Sequence, residues 1–300
     1  MTSFVELQQR FITTEFGALG IVASHAQVLQ PASALPTDDA TLWSLFNTIP
    51  SDSTLFSPDG DETFFAAYSA LIDSLIPGSG LLDPIAVAKR KLEEWGHADP
   101  AWSVGYAGLI SQLNLAPSNE FPFSNPGGPA SPFWGLWGGS APASGQSVAF
   151  AAGDVSGQFA FANVLPFAPT PSDWYVSSAL SLAYAKHSGK PWNPDSPITW
   201  DSTFGPSGNM QRFVTSLYVV AGLSAQYVSS TKFSKADQQA IQENAADGMW
   251  PYYLGPGAAG ATTKIQFDAQ GKMKVGLTTG SGQPVVIAAL VLPAAQYLGG

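Results

Sequence analysis

Three aspartates stand beside tryptophans: Asp173 precedes Trp174, Asp195 follows Trp192 by three residues, and Asp201 follows Trp200. Two carboxylates facing one another in a cleft can cleave a glycosidic bond as acid and base, or as acid and nucleophile. Sugar rings stack on indoles, so this pairing of residue types fits carbohydrate chemistry. The same acids also have plain structural readings. Asp173 sits where acids favour a helix start, and Asp195, after Asn193-Pro194, suits a turn.

His187 is near Asp195 and Asp201 in sequence and could join them in a carboxylate–imidazole site. Arg212 opens the apolar run "RFVTSLYVV" and is the only arginine after residue 90. An arginine so placed either holds a carboxylate through two parallel hydrogen bonds or starts a strand at the surface. Asp173, Asp195, Asp201, His187 and Arg212 are therefore the catalytic candidates.

Other chemistries lack their signatures. The three histidines, His25, His97 and His187, include no pair one helical turn apart, and there is no cysteine, so no metal site is expected. Ser79 in "PGSGL" and Ser207 in "GPSGN" lie in turn sequences, and no G-x-S-x-G elbow occurs. Neither phosphate-loop pattern is present. "GPGAAGATTK" (255–264) has the glycines but lacks the preceding strand and following helix. No cofactor is expected.

Large aromatics recur in irregular-looking sequence: "FPFSNPGGPASPFWGLWGG", "KPWNPDSPITWDSTFG" and "GMWPYYLGPG". Trp134, Trp137, Trp192, Trp200, Trp250 and Tyr252 are the candidate contact residues, on loops 121–139, 192–204 and 249–254. Loops run over surfaces, because buried loops strand backbone polar groups. Such tryptophans fold back as lids on the core, line a groove for sugar or another flat ligand, or meet a second subunit or a membrane interface.

Composition narrows the partners. Only 11% of residues are charged and the net charge is −10, against a usual charged share of about 25%. Residues 1–100 hold 13 acids and four bases, whereas residues 101–230 hold five and three. So few cations argue against nucleic acid and against a polybasic membrane anchor. The near-neutral middle offers little self-repulsion against association. A homo-oligomer, or another protein or glycan partner, is expected, with membrane contact as an alternative. No apolar run reaches the ~18 residues of a membrane span, and the N-terminus lacks a basic signal-peptide start. The chain reads as soluble, and as cytoplasmic or exported without a recognisable signal peptide.

The elements that must carry these residues read as α+β, an acidic helical part followed by a mainly antiparallel, sandwich-like part with two inserted helices. Residues 1–115 are expected to form the helical region, 116–145 a connector rich in proline, glycine and aromatics, and 146–300 the β-rich region, together one compact unit.

Helices are expected over 4–29, 38–49, 61–76 and 83–97, the last capped by Asp83 with Pro84 in its first turn. A β-hairpin is expected over 147–164 around "GDVSG". Helices follow near 172–187 and 234–247, the latter capped by Ser234. Residues 211–230 read as one bent or two short strands, 262–277 as a hairpin, and 283–292 as a buried strand. Function is expected to be non-enzymatic binding or self-association through the aromatic loops. The alternatives are a toxin-like membrane-acting protein, with helix 4–29 or hairpin 147–164 rearranging, and a carbohydrate-active enzyme.

Overall fold

The computed structural model describes residues 4–58, 60, 62–80, 82–96, 98–125, 135–138, 145–255, 257–280 and 282–299. The first half contains α1 (Phe4–Leu19), β1 (Ala26–Ala34), α2 (Asp39–Phe46), α3 (Phe64–Ser74), α4 (Pro84–Trp95), α5 (Tyr106–Leu113), β2 (Asn119–Asn125) and α6 (Gly145–Ala152). The second half contains β3 (Val155–Phe161), β4 (Asn163–Phe167), α7 (Ser177–Ala185), α8 (Trp200–Thr203), β5 (Arg212–Ala221), β6 (Ser224–Lys232), α9 (Lys235–Glu243), β7 (Thr262–Phe267), β8 (Lys272–Thr278), β9 (Val285–Pro293) and α10 (Ala294–Tyr297). Two antiparallel sheets form, in the orders β1-β9-β5-β4 and β2-β3-β6-β8-β7. The fold is α+β, with helices concentrated towards the N-terminus and sheets towards the C-terminus.

The chain makes two compact units, each assembled from separated stretches. The first comprises Met1–Leu35, Ser111–Pro166 and Tyr218–Ala288. Its five-stranded sheet alternates strictly: Phe121, Phe123, Phe159, Phe161, Tyr227, Met273 and Val275 are buried, while their strand neighbours face solvent. That period-two pattern is what a sheet with one covered face requires. On the covered face Phe11 of α1 lies 4.8 Å from Phe159, 5.4 Å from Phe123, 5.2 Å from Trp250 and 5.7 Å from Tyr252, ring centre to ring centre. These distances suit edge-to-face contacts.

Trp250 reaches this cluster through a tight loop. Gly248 has φ +79°, and a Cβ there would stand 2.5 Å from the Tyr253 carbonyl group. Its carbonyl accepts from Gly138 N–H at 2.9 Å, and Leu136 accepts from Trp250 N–H at 2.9 Å. Gly248→Ala combines an unfavourable φ with a backbone clash. It should lower stability by roughly 2–3 kcal/mol, read from urea unfolding. A variant as stable as the parent would show that the loop can take another path.

The second unit comprises Pro36–Ile110, Phe167–Leu217 and Ala289–Gly300. Trp174 is fully buried there, with Phe65 at 4.9 Å, Tyr68 at 5.6 Å and Trp102 at 5.7 Å. Its indole N–H donates to Ala101 O at 2.9 Å, so a polar atom that would be costly to bury is satisfied. Local sequence signals set the helices around it. Asp83 accepts from Ile85 N–H and Ala86 N–H, Pro84 occupies the first turn of α4, and Gly96 ends it at φ +68°.

Several elements differ from their sequence pattern. The helix expected over 4–29 stops at Leu19, and residues 26–34 form β1 with Pro31 inside it. β1 is an edge strand, where a missing N–H costs no ladder bond. The expected hairpin over 147–164 is instead α6 followed by β3 and β4, which lie in different sheets. Ser147, Phe150 and Ala151 are its buried residues; spacings of three and four satisfy a helix as well as alternation does. The expected helix near 172–187 is shorter, Ser177–Ala185, and Val176 rather than Ser172 stands at its N-cap. β2 lies inside the stretch 116–145. By contrast β5 and β6, the β7–β8 hairpin, α9 and β9 form where sequence places them.

Candidate functional site

The loop aromatics are mostly core. Trp250 is fully buried, and its Nε1–H donates to Gln8 Oε1. Tyr252 is 4% exposed and donates its hydroxyl to Glu15 Oε1 at 2.6 Å. Trp137 is buried and pairs through its backbone with Met249. Trp192 is buried, with its Nε1–H donating to Lys186 O. Trp200 is half-buried; it donates to Tyr184 O at 2.8 Å, and the His187 ring stacks on it at 4.0 Å. Trp134 and His97 lie outside the described residues. The indole N–H groups of Trp192, Trp200 and Trp250 thus each have an internal acceptor, as buried polar groups require.

The acids beside the tryptophans point to solvent. Asp173, Asp195 and Asp201 are exposed. Asp173 pairs with Lys91 at 3.2 Å, and Asp201 sits in the first turn of α8, where the helix dipole favours an acid. None of the three lines the cleft described next. Among the described residues no group of three or more His, Asp or Glu is placed to hold a metal ion, and no helix is long and apolar enough to cross a membrane.

Arg212 does find a site. It opens β5 in the second unit, and its guanidinium pairs with the carboxylate of Asp52, 160 residues away. Beside it is a cleft of about 260 Å³, walled by Phe46, Phe64, Trp102, Phe213 and Tyr297. Phe213 stacks on Tyr297 at 4.4 Å, with the ring planes 18° apart. Thr48, Thr170 and Thr215 add hydroxyls to the lining.

Arg212 and Asp52 also line an adjoining polar cleft of about 390 Å³, with Glu62 and Asn209. There Asn209 Nδ2 donates to Glu62 Oε1 at 2.7 Å. The loop that carries Asn209 folds tightly on itself. Gln211 Nε2 donates to Pro206 O at 2.9 Å and to Gly208 O at 3.0 Å, and a Cβ on Gly208 would meet the Thr203 carbonyl. This accounts for the glycines of "GPSGN" by close backbone approach.

Sequence reasoning found Arg212 but not Asp52, Glu62 or Asn209. They lie in loops at 52, 62 and 209, and no local spacing marks acids that only tertiary folding gathers. What the assembled site can do is bind. It offers aromatic faces on one side and two donor–acceptor pairs on the other. Comparison with known proteins returned no match among family models, curated proteins or solved structures.

Proposed function

We propose that the protein is a non-enzymatic binding protein whose cleft at Arg212 takes a small neutral saccharide. The observation that carries this reading is an aromatic-walled cleft that shares Arg212 with a polar cleft holding Asp52, Glu62 and Asn209. Vicinal sugar hydroxyls donate and accept together. A carboxylate beside a guanidinium, or beside an amide, answers both roles, while aromatic rings take the apolar face of the sugar. A volume of about 260 Å³ is a little below the usual range for ligand sites, roughly 300–1,000 Å³, and suits one ring with a second in the polar cleft.

Both carboxylates of the polar cleft are already partnered, Asp52 by Arg212 and Glu62 by Asn209, an arrangement that suits them to accept from a ligand's hydroxyls. With the loop aromatics mostly buried, this cleft supports the recognition role in their place.

The test is isothermal titration with a panel of neutral mono- and disaccharides, using the parent and Arg212→Met. The pair is partly exposed, so its loss should change stability by under about 1 kcal/mol. Affinity should fall at least tenfold. Absence of saturable binding across the panel, or equal affinity of the two proteins, would overturn the proposal.

A further inference from the structure

The outer face of the five-stranded sheet in the first unit concentrates positive charge in an otherwise acidic chain. Lys232, Lys264, Lys272 and Lys274 are all exposed and are four of the protein's 12 basic residues. Register places them together. Lys232 is directly opposite Lys272, Lys274 follows on the same face of β8, and Lys264 is opposite Gly276, two residues further on. Diagonal neighbours of this kind stand about 7–8 Å apart, and like charges directly opposite one another destabilise a sheet. Among the described residues none of the four forms an ion pair. Lys232 and Lys272 therefore face one another as like charges, an arrangement expected where function overrides local stability, while Asp154 and Asp268 line a neighbouring hollow beside Lys272 and Lys274.

The face is shaped as well as charged. A hollow of about 230 Å³ is lined by Lys264, Lys274, Gln226, Gln266, Thr262 and Thr278, with no carboxylate. Gly276 forms its floor, and a Cβ there would meet nothing within 4 Å. Gly276 sits between Gln226 and Lys264 in register. Asp268, at the turn before β8, is occupied by the backbone N–H groups of Gln270 and Lys272 at 2.9 and 2.8 Å.

We propose that this face binds a sulfated polysaccharide, independently of the cleft at Arg212. Spaced lysines match sulfates distributed along a chain, and Gln and Thr side chains answer the hydroxyls between them. A compact phosphate would be met better by an arginine fork or by free backbone N–H groups. Here the ladder uses the backbone of the central strands, and the hollow holds no arginine. A lipid surface would call for apolar side chains to insert, and the hollow is lined by polar ones. Stacked nucleic-acid bases would need aromatics on the face.

The experiment uses the full chain and immobilised heparin, with dextran and phosphatidylserine vesicles as comparison surfaces. Binding to heparin should be saturable and weaken as salt is raised. It should fall at least tenfold in Lys264→Ala/Lys274→Ala, and similarly in Gly276→Glu, which fills and charges the hollow. Lys89→Ala/Lys91→Ala removes equal charge from elsewhere and should bind as the parent does, as should Arg212→Met. Should Gly276→Glu fail to fold by circular dichroism, the double lysine variant decides, since both side chains are exposed. No binding to heparin, equal loss in the two double-lysine variants, or binding to the vesicles alone would overturn the proposal.

Discussion

Trp250→Ala is expected to bring the protein close to its unfolding threshold. The indole is fully buried and touches Phe11, Phe123, Phe150 and Tyr227 at ring separations of 5.2, 5.9, 5.7 and 5.3 Å. Truncating a buried Trp to Ala costs roughly 3–5 kcal/mol in lost transfer and cavity terms. The change also removes the donor to Gln8 Oε1, and an orphaned buried acceptor costs about 1–3 kcal/mol more. Total stabilities are about 5–15 kcal/mol, so the loss is a large share of the whole. Trp250→Phe keeps most of the ring and loses the N–H, and should cost about a third as much. Urea unfolding followed by far-ultraviolet circular dichroism would measure both. A Trp250→Ala midpoint equal to the parent's would mean the ring is not part of the core.

The second large effect concerns pH. Glu15 is buried in α1, and burial pushes its carboxyl up to about 7 from 4.5, with the Tyr252 hydroxyl opposing this in part. The folded value lies above the unfolded one. Stability is therefore full below about pH 4.5 and is lost as pH rises to about 7, because the unfolded chain ionises first. A displacement of this size amounts to about 3 kcal/mol above neutral pH. Glu15→Gln keeps an acceptor for Tyr252 and cannot ionise. It should match the parent at pH 4, then exceed it by a margin that grows to about 3 kcal/mol by pH 8. Thermal midpoints at unit steps of pH give the comparison. Parallel curves for parent and variant would remove Glu15 as the source of the pH dependence.

Both effects arise in one neighbourhood. Tyr252 and Trp250 lie on a single loop that Gly248 allows to turn, and each hands a hydrogen bond to α1, at Glu15 and Gln8. The docking of α1 on the sheet thus depends on residues more than 200 positions away. Raising the pH, truncating the indole and forcing a Cβ onto Gly248 all weaken the same contact set. Their costs should not add simply when combined.

What the sequence determined by itself is local. Asp83-Pro84 before an amphipathic run specifies α4, Ser234 with Asp237 specifies α9, and Asp268 through Gly271 specifies the β7–β8 turn. Each signal acts within a few residues, so it survives without tertiary context. The unbroken apolar run of β9 is legible for the same reason.

Tertiary structure alone decided the rest. Residues 147–152 satisfy both periods, and contacts with other elements choose the helix. Trp192 and Trp250, in proline- and glycine-rich sequence, are core, and the internal acceptors Lys186 O and Gln8 Oε1 receive the N–H groups that burial would otherwise orphan. No local pattern announces such acceptors. The pairing of Arg212 with Asp52 spans 160 residues, and the lysine face depends on the register of three strands. A site built from long-range contacts has no spacing in the chain by which to be read, since folding, not sequence distance, sets which side chains meet.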